Sequence, residues 1–155
     1  MDAWFKIWSG IAHNRTLLTA VAAWFVAQLL KTIIYCIVNK KFDINRLVGD
    51  GGMPSGHSAT VTALAIRSAM DFGTASSGFA IAAILAIVVM HDAMGVRRES
   101  GKHAKALNEI IAIMSTQTDS ISQDKALKEF LGHTPLQVVA GALLGVIVAA
   151  ISTLF

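Results

Sequence analysis

The sequence predicts an all-α membrane protein, a polytopic helical bundle of about four transmembrane helices that forms a single domain over residues 1–155. Apolar residues make up 54% of the chain and charged residues only 15%, whereas soluble domains carry about 25% charged residues. The mean hydropathy of +0.59 indicates the same class. Such a composition excludes intrinsic disorder, which requires low hydrophobicity, and argues against an ordinary soluble enzyme.

Four apolar segments supply the predicted transmembrane helices: residues 17–38, 55–72, 73–90 and 134–155. The last segment is 22 residues long without a charge, and at about 1.5 Å per residue it spans the roughly 30 Å of a bilayer core. The second segment is interrupted by Arg67. We therefore expect this segment to be short or to line a cavity, with the Arg67 side chain extending towards the membrane interface.

The remaining segments are polar or mixed. Residues 1–15 have the aromatic and apolar pattern of a helix that lies in the membrane interface. Residues 39–54 form a loop rich in glycine and charge, and residues 91–133 form a longer mixed loop. Within that loop, residues 102–114 have apolar side chains at helical spacing, which predicts a cytoplasmic helix outside the membrane.

The distribution of basic residues predicts the orientation. With four spans, the loops 39–54 and 91–133 lie on the same side of the membrane. They carry nine basic residues against two on the other side, where Lys6 and Arg15 lie. The nine are Lys40, Lys41, Arg46, Arg97, Arg98, Lys102, Lys105, Lys125 and Lys128. Because cytoplasmic loops are enriched in lysine and arginine, both loops are expected in the cytoplasm and both termini outside.

Charge and cysteine content exclude several other functions. A net charge of +3 without runs of lysine or arginine gives no support for nucleic-acid binding. The only cysteine, Cys36, excludes an intrachain disulfide framework and a site with several cysteine ligands. No cofactor or metal is expected, and the expected partners are the lipid bilayer and a lipid substrate. Homo-oligomerisation stays open.

Three polar clusters stand at segment ends: residues 53–58, 91–98 and 132–137. In the four-span topology all three lie at the cytoplasmic face. Each cluster alone also fits a purely structural role, as a capped helix start or as polar residues at the membrane boundary. Together they bring histidines, an aspartate and arginines to one face, which is the composition of a site for an anionic group.

The expected anion ligands follow from the residue types. Ser55 and Gly56 open a predicted helix, whose N-terminal N–H groups and positive dipole end attract phosphate. Arg97 and Arg98 offer forked donors that match phosphate oxygens, although they also fit a positive-inside anchor. Lys31 lies inside an apolar segment, where a charge costs a few kcal/mol, so we expect it to bind substrate even though snorkelling is an alternative.

Two histidines are candidates for the chemistry itself. A neutral imidazole can attack phosphorus, and a second can protonate the leaving oxygen. His57 and His133 each stand at the start of an apolar helix that enters from the same side. Asp92 could orient one of the histidines or hold an arginine. Gln137 lies four residues after His133 on the same helix face, which makes it the natural orienting partner.

These clusters resemble known motifs. Pro54-Ser55-Gly56-His57-Ser58-Ala59 resembles the second motif of the PAP2 phosphatase and vanadium haloperoxidase superfamily, and the nine residues 133–141 resemble its third motif. The run from His91 to Arg98, together with Lys31, looks like the divergent PAP2 family of small membrane proteins in bacteria and plastids. The resemblance covers nearly the whole chain from about Asn14.

The resemblance implies a role for each histidine: His133 would be the nucleophile that forms a phosphohistidine, and His57 the general acid. The chain departs from the superfamily at three points. The first motif and the Ser-Arg pair before the third motif are absent, and Gln137 stands where an aspartate normally supports the nucleophile. Lys31, Asp92, Arg97 and Arg98 are the residues that could replace these groups.

The predicted function is a membrane lipid-phosphate phosphatase that hydrolyses a phosphomonoester of an amphiphile at the cytoplasmic face, in a bacterial cell membrane or a plastid membrane. Phosphatidate, phosphatidylglycerophosphate and polyprenyl phosphates are all candidate substrates. Two alternatives stay open: a protein of the same fold that binds phospholipid or another anion without catalysis, and a structural membrane subunit whose loop 91–133 contacts a cytoplasmic partner.

Overall fold

A computed structural model describes residues 3–41, 52–115 and 132–154, and within these ranges all the regular structure is helical. The helices are α1 (Ala3–Ala12), α2 (Arg15–Asn39), α3 (Gly56–Phe72), α4 (Ser77–Met94), α5 (Val96–Ser115) and α6 (Pro135–Ile151), and a 3₁₀ turn follows at Ser152–Leu154. The all-α prediction is confirmed for these residues. The helices predicted within residues 1–15 and 102–114 are present as α1 and α5.

Local sequence signals set the helix boundaries. Side-chain caps from Asn14, Ser55 and Ser76 accept hydrogen bonds from backbone N–H groups in the first turns of α2, α3 and α4. Gly73 ends α3 with a φ of 82°, which a glycine adopts without steric cost. The third apolar segment therefore becomes helical only at Ser77, four residues later than its apolar run begins, because residues 73–76 form the turn.

Among the residues that the structure describes, three helices are long and apolar enough to cross a membrane: Arg15–Asn39, Pro135–Leu154 and a stretch over Ser77–Ile113 that includes α4. Helix α3 has 17 residues, so at about 1.5 Å per residue it is some 26 Å long. It packs against α2, α4 and α6 and is the central helix of the bundle. Four spans therefore remain a prediction. The second segment forms a helix of 17 residues, short as expected, at the centre of the bundle.

The bundle is apolar outside and small or polar inside. Large apolar side chains such as Ile37, Ile81 and Leu143 are more than half exposed, while the core between α2 and α3 consists of Ala23, Ala27, Ala59 and Ala63. This distribution is opposite to that of a soluble domain and suits a lipid environment, in which small residues allow helix backbones to approach closely.

Helix α6 approaches α3 most closely through two glycines. A Cβ on Gly141 would collide with the carbonyl oxygen of Ser55, and a Cβ on Gly145 would lie 2.5 Å from the carbonyl oxygen of Ala59. The contacts of Gly141 with Ser55 and of Gly145 with Ala59 advance in the same direction along both helices, so α3 and α6 run parallel. Both helices therefore begin at the same end of the bundle.

At the opposite end, Arg67 is buried, and its guanidinium is held by partners at the helix ends and not by solvent. Its guanidinium binds the Asp71 carboxylate through two nitrogens, at 2.9 and 3.0 Å. It also donates to the carbonyl and hydroxyl oxygens of Ser152, at 3.2 and 3.1 Å, while Thr16 donates to Asp71 at 2.8 Å. We call these four residues the far-end clasp; they join α2, α3 and the end of α6.

Replacing Gly141 with alanine is expected to destabilise the protein by about 1–3 kcal/mol, because the new methyl group meets backbone atoms that cannot yield. Thermal unfolding in detergent measures the effect. Gly10→Ala is the control, since a Cβ there meets no atom within 4 Å. Equal melting temperatures for the two variants would contradict the close contact between α6 and α3.

Candidate functional site

Two backbone hydrogen bonds bring the three polar clusters together. The Ser55 N–H donates to the Gln137 carbonyl oxygen at 3.0 Å, and the His133 N–H donates to the Ala93 carbonyl oxygen at 3.0 Å. The starts of α3 and α6 and the end of α4 therefore meet at one place. The convergence predicted from the segment ends is confirmed, and two positive helix ends point into the same region.

His133 is held in one orientation by the start of its own helix. Its side chain is buried, and Nδ1 lies 3.2 Å from Gln137 Oε1. The same Oε1 accepts the Thr134 backbone N–H at 3.0 Å, which identifies this atom of Gln137 as the carbonyl oxygen. Since an amide oxygen only accepts hydrogen bonds, Nδ1 of His133 must carry the proton, and Nε2 is the nitrogen that keeps a lone pair.

Gln137 has this position because it belongs to a capping box. Thr134 caps α6 by accepting the Gln137 N–H at 3.4 Å, while the Gln137 side chain returns to the Thr134 N–H. The arrangement satisfies two N–H groups that would otherwise lack partners at a helix start. The helix cap and the orientation of the imidazole thus depend on the same oxygen atom.

His57 lies beside His133. The centroids of the two rings are 5.8 Å apart, and their planes meet at 63° in an edge contact. This separation is just below the roughly 6 to 9 Å that a phosphorus atom held between the rings would need. His57 is only half-buried, in contrast to His133.

Lys31 faces the start of α3 from α2. Its side chain is 9% exposed, and Nζ lies 3.6 Å from the point that a Cβ on Gly56 would occupy. Trp24 and Gln28, which precede Lys31 by seven and three residues on the same helix face, contact the same point at 3.7 and 3.8 Å. A side chain at position 56 would take up the space between these groups, and glycine leaves it open.

Ser55 is fully buried, and its Oγ accepts hydrogen bonds from the N–H of Ser58 at 3.3 Å and from the Ser58 hydroxyl at 3.0 Å. Its oxygen is thus engaged in fixing the first turn of α3. Of the groups at residue 55, the hydroxyl hydrogen is the one that Ser55 could still offer to an anion.

The remaining predicted site residues lie on α4 and α5. Asp92 is half-buried in the last turn of α4, one residue before the carbonyl that accepts the His133 N–H. Arg97 and Arg98 belong to the first turn of α5, but their side chains lie outside the described part of the structure. Among the described residues, no three histidine, cysteine, aspartate or glutamate side chains are grouped so that they could hold a metal ion.

Sequence reasoning missed Gln28. This side chain is 5% exposed, and it lies with Lys31 against the start of α3. The available signal was a second polar residue three positions before Lys31, on the same face of an otherwise apolar helix.

Comparison with known proteins agrees with the motifs. A family model described as "Divergent PAP2 family" matches residues 12–148, which confirms the resemblance drawn from the sequence. The uncharacterized membrane protein YuiD of Bacillus subtilis (strain 168) is 38% identical over 151 residues, covering 92% of this chain and 96% of YuiD. No solved structure matches the chain.

Because the site is built from helix ends that meet, the segments beside it should emerge at one membrane face. We expect single cysteines at Lys40 and Glu99, both exposed, to be labelled from the same side of the membrane in a Cys36→Ala background. A cysteine at Ala75, in the turn at the other end of the bundle, should be labelled from the opposite side. A membrane-impermeant thiol reagent on oriented vesicles makes the measurement. Labelling of positions 40 and 99 from different sides would contradict a bundle that crosses the membrane as one unit.

Proposed function

Because the chain belongs to the divergent PAP2 family, we propose that it is a membrane phosphatase that hydrolyses phosphomonoesters of lipids through a phosphohistidine. The supporting observation is the 3.2 Å contact between Nδ1 of His133 and Gln137 Oε1, an oxygen that also accepts the Thr134 N–H. The Thr134 N–H fixes the Gln137 oxygen, which in turn requires the proton of His133 on Nδ1. Nε2 then has the lone pair that a nucleophile needs.

The surroundings of the histidines suit a phosphoryl group. Lys31 brings a buried ammonium group to the first turn of α3, and the parallel helices α3 and α6 both direct their positive ends to this region. At a buried position such groups attract an anion more strongly than they would in solution. We further propose that Arg97 and Arg98, at the start of α5, add positive charge to this phosphate site.

The proposed reaction has two steps. In the first, Nε2 of His133 attacks phosphorus, the bond between phosphorus and the ester oxygen breaks, and His57 in its protonated form gives a proton to the leaving lipid alkoxide. In the second, His57 takes a proton from water as the water attacks phosphorus. The bond to Nε2 breaks, and inorganic phosphate and neutral His133 are released.

The 5.8 Å separation of the rings determines what must move. In-line transfer places the nucleophile and the leaving group on opposite sides of phosphorus. The His133 ring is buried and hydrogen-bonded to Gln137, whereas His57 is half-buried. We therefore propose that His57 turns outward as the phosphoryl group enters.

We place the substrate in the cytoplasmic leaflet of a cell membrane. The described ends of the basic segments 39–54 and 91–133 lie at the site end of the bundle, and the positive-inside rule assigns segments rich in lysine and arginine to the cytoplasm. The outer surface of the bundle is apolar, which favours a substrate that reaches the site from within the membrane.

One observation favours a second function, binding of phospholipid without catalysis. Gln137 is neutral, so it orients His133 but does not compensate the positive charge that the imidazole gains as it attacks. A hydrogen bond to a charged group contributes about 1.5–3 kcal/mol, against about 1 kcal/mol for a neutral pair. A site that lacks this stabilisation could hold a phosphate without turning it over.

The phosphatase is tested by phosphate release from phosphatidate, phosphatidylglycerophosphate and polyprenyl phosphate in detergent. We expect release from at least one of these lipids, and His133→Ala should reduce it by about 10³-fold or more because the nucleophile is lost. His103→Ala, at an exposed position on α5, is the matched control and should retain activity. Binding of these lipids without release by the wild-type protein would favour the second function.

Replacing Gln137 with glutamate tests the charge of the His133 partner while keeping the orientation of the His133 ring. A glutamate at this position preserves the capping box and the hydrogen bond to Nδ1, and it adds the negative charge that stabilises an imidazolium. We expect kcat to rise about 10-fold, since 1.4 kcal/mol of transition-state stabilisation gives that factor.

Steady-state kinetics on the best lipid from the first assay measures this change. Asn39→Asp adds the same charge at the exposed end of α2 and is the control for general electrostatics. A lower kcat in Gln137→Glu at unchanged melting temperature would show that the reaction requires a neutral partner for His133.

A further inference from the structure

Gln28 contains a buried acceptor that the fold itself does not use. The side chain is 5% exposed, and within the described structure its Oε1 is buried and accepts no hydrogen bond. An unsatisfied buried acceptor costs about 1–3 kcal/mol. Because native structures contain few such groups, each one calls for an explanation, and a ligand that donates to it is one.

The position of this oxygen indicates what the ligand is. Oε1 lies 3.8 Å from the point that a Cβ on Gly56 would occupy, and Nζ of Lys31 lies 3.6 Å from the same point. The first turn of α3 thus has a cation and an acceptor side by side. A phosphoryl group that binds at this helix start would place one oxygen near the ammonium and another near the amide oxygen.

Lys31 and Gln28 favour ligand oxygens in different protonation states. The ammonium of Lys31 attracts oxygens that carry negative charge. The carbonyl oxygen of Gln28 repels an unprotonated anion oxygen, because two acceptors face each other, but it accepts a hydrogen bond from an oxygen that carries a proton. We propose that Gln28 is a specificity residue that selects phosphoryl groups bearing a P–OH.

This proposal deepens the proposed function, since it rests on the anion site but not on turnover. Monoesters in their monoanionic form carry a P–OH group, and so does inorganic phosphate near neutral pH. Phosphodiesters and sulfate carry none under these conditions. A site that is built to accept a proton from its ligand rejects an analogue that lacks the proton, because the buried acceptor is then left without a partner. The abundant diester phospholipids of the membrane would be excluded by the same contact that admits a monoester.

The test compares inorganic phosphate with sulfate as ligands of the purified protein in detergent, at neutral pH and matched ionic strength. The affinities come from the ligand-dependent rise in melting temperature. We expect the wild-type protein to bind phosphate at least about 10-fold more tightly than sulfate, the factor that 1.4 kcal/mol gives. Gln28→Met, which is similar in shape and lacks the acceptor, should lose most of this preference, chiefly through weaker binding of phosphate.

Stability without ligand is the second readout. Removal of an unsatisfied buried acceptor should leave the melting temperature of Gln28→Met unchanged or raise it. Thr19→Val is the matched control, since Thr19 is a buried polar residue of α2 that bonds its own helix near the other end of the bundle. Thr19→Val should keep the wild-type preference for phosphate over sulfate. Gln28→Glu retains an acceptor and should also prefer phosphate over sulfate, which keeps the proposal falsifiable if the methionine variant does not fold.

Three results would overturn the proposal: equal affinity of the wild-type protein for both anions, an unchanged preference in Gln28→Met, or an equal loss of both affinities in that variant. The last would mean that the amide donates to the anion. None of these results contradicts the proposed phosphatase activity, because phosphate release and its loss in His133→Ala are measured separately. Absence of binding for both anions in the wild-type protein would overturn the anion site itself.

Discussion

The site depends on how closely α6 lies against α3. Two glycines on α6 let its backbone reach the backbone of α3, and the Ser55 N–H then bonds the Gln137 carbonyl oxygen. This contact sets the two helix starts at the same depth. His57 is the second residue of α3 and His133 lies two residues before α6, so this backbone contact brings the two histidines into one region. In a membrane, where apolar side chains gain little by leaving lipid, close packing of small residues is the interaction that holds such an arrangement.

The start of α6 combines structural and chemical roles in very few residues. The capping box satisfies N–H groups at the beginning of the helix, and its glutamine oxygen also selects the tautomer of His133. The Thr134 N–H fixes the identity of that oxygen, so the amide cannot turn to present its nitrogen without losing the cap. Orientation of the imidazole is therefore as robust as the helix start itself, even without the carboxylate found in the wider superfamily.

The sequence predicted those structural features that depend on a single segment of the chain. Apolar runs, caps and the motif around His133 located the helices. The four-residue spacing identified Gln137 as the partner of His133, although His133 lies just before the Thr134 cap and outside α6. Contacts between helices were harder. Gln28 and Arg67 each interrupt an apolar segment, but their surroundings depend on how α2, α3 and α6 are rotated about their axes, which no single segment encodes. Asp71 stands four residues after Arg67 on the same helix, so the sequence offered this partner, whereas Ser152 and Thr16 come from other parts of the chain and could not be predicted.

The far-end clasp has a mechanical consequence for the whole bundle. The Arg67–Asp71 ion pair lies within α3, and the clasp joins α3 to the end of α6 through hydrogen bonds from Arg67 to Ser152 and to α2 through the Thr16 hydroxyl on Asp71. Hydrogen bonds to charged groups contribute about 1.5–3 kcal/mol each. The histidine end is joined by single backbone hydrogen bonds between helices, each contributing about 1 kcal/mol. The clasp therefore restrains the helix ends farthest from the histidines. The two ends of the bundle are held by different kinds of contact: hydrogen bonds to charged groups at one end and close backbone packing at the other.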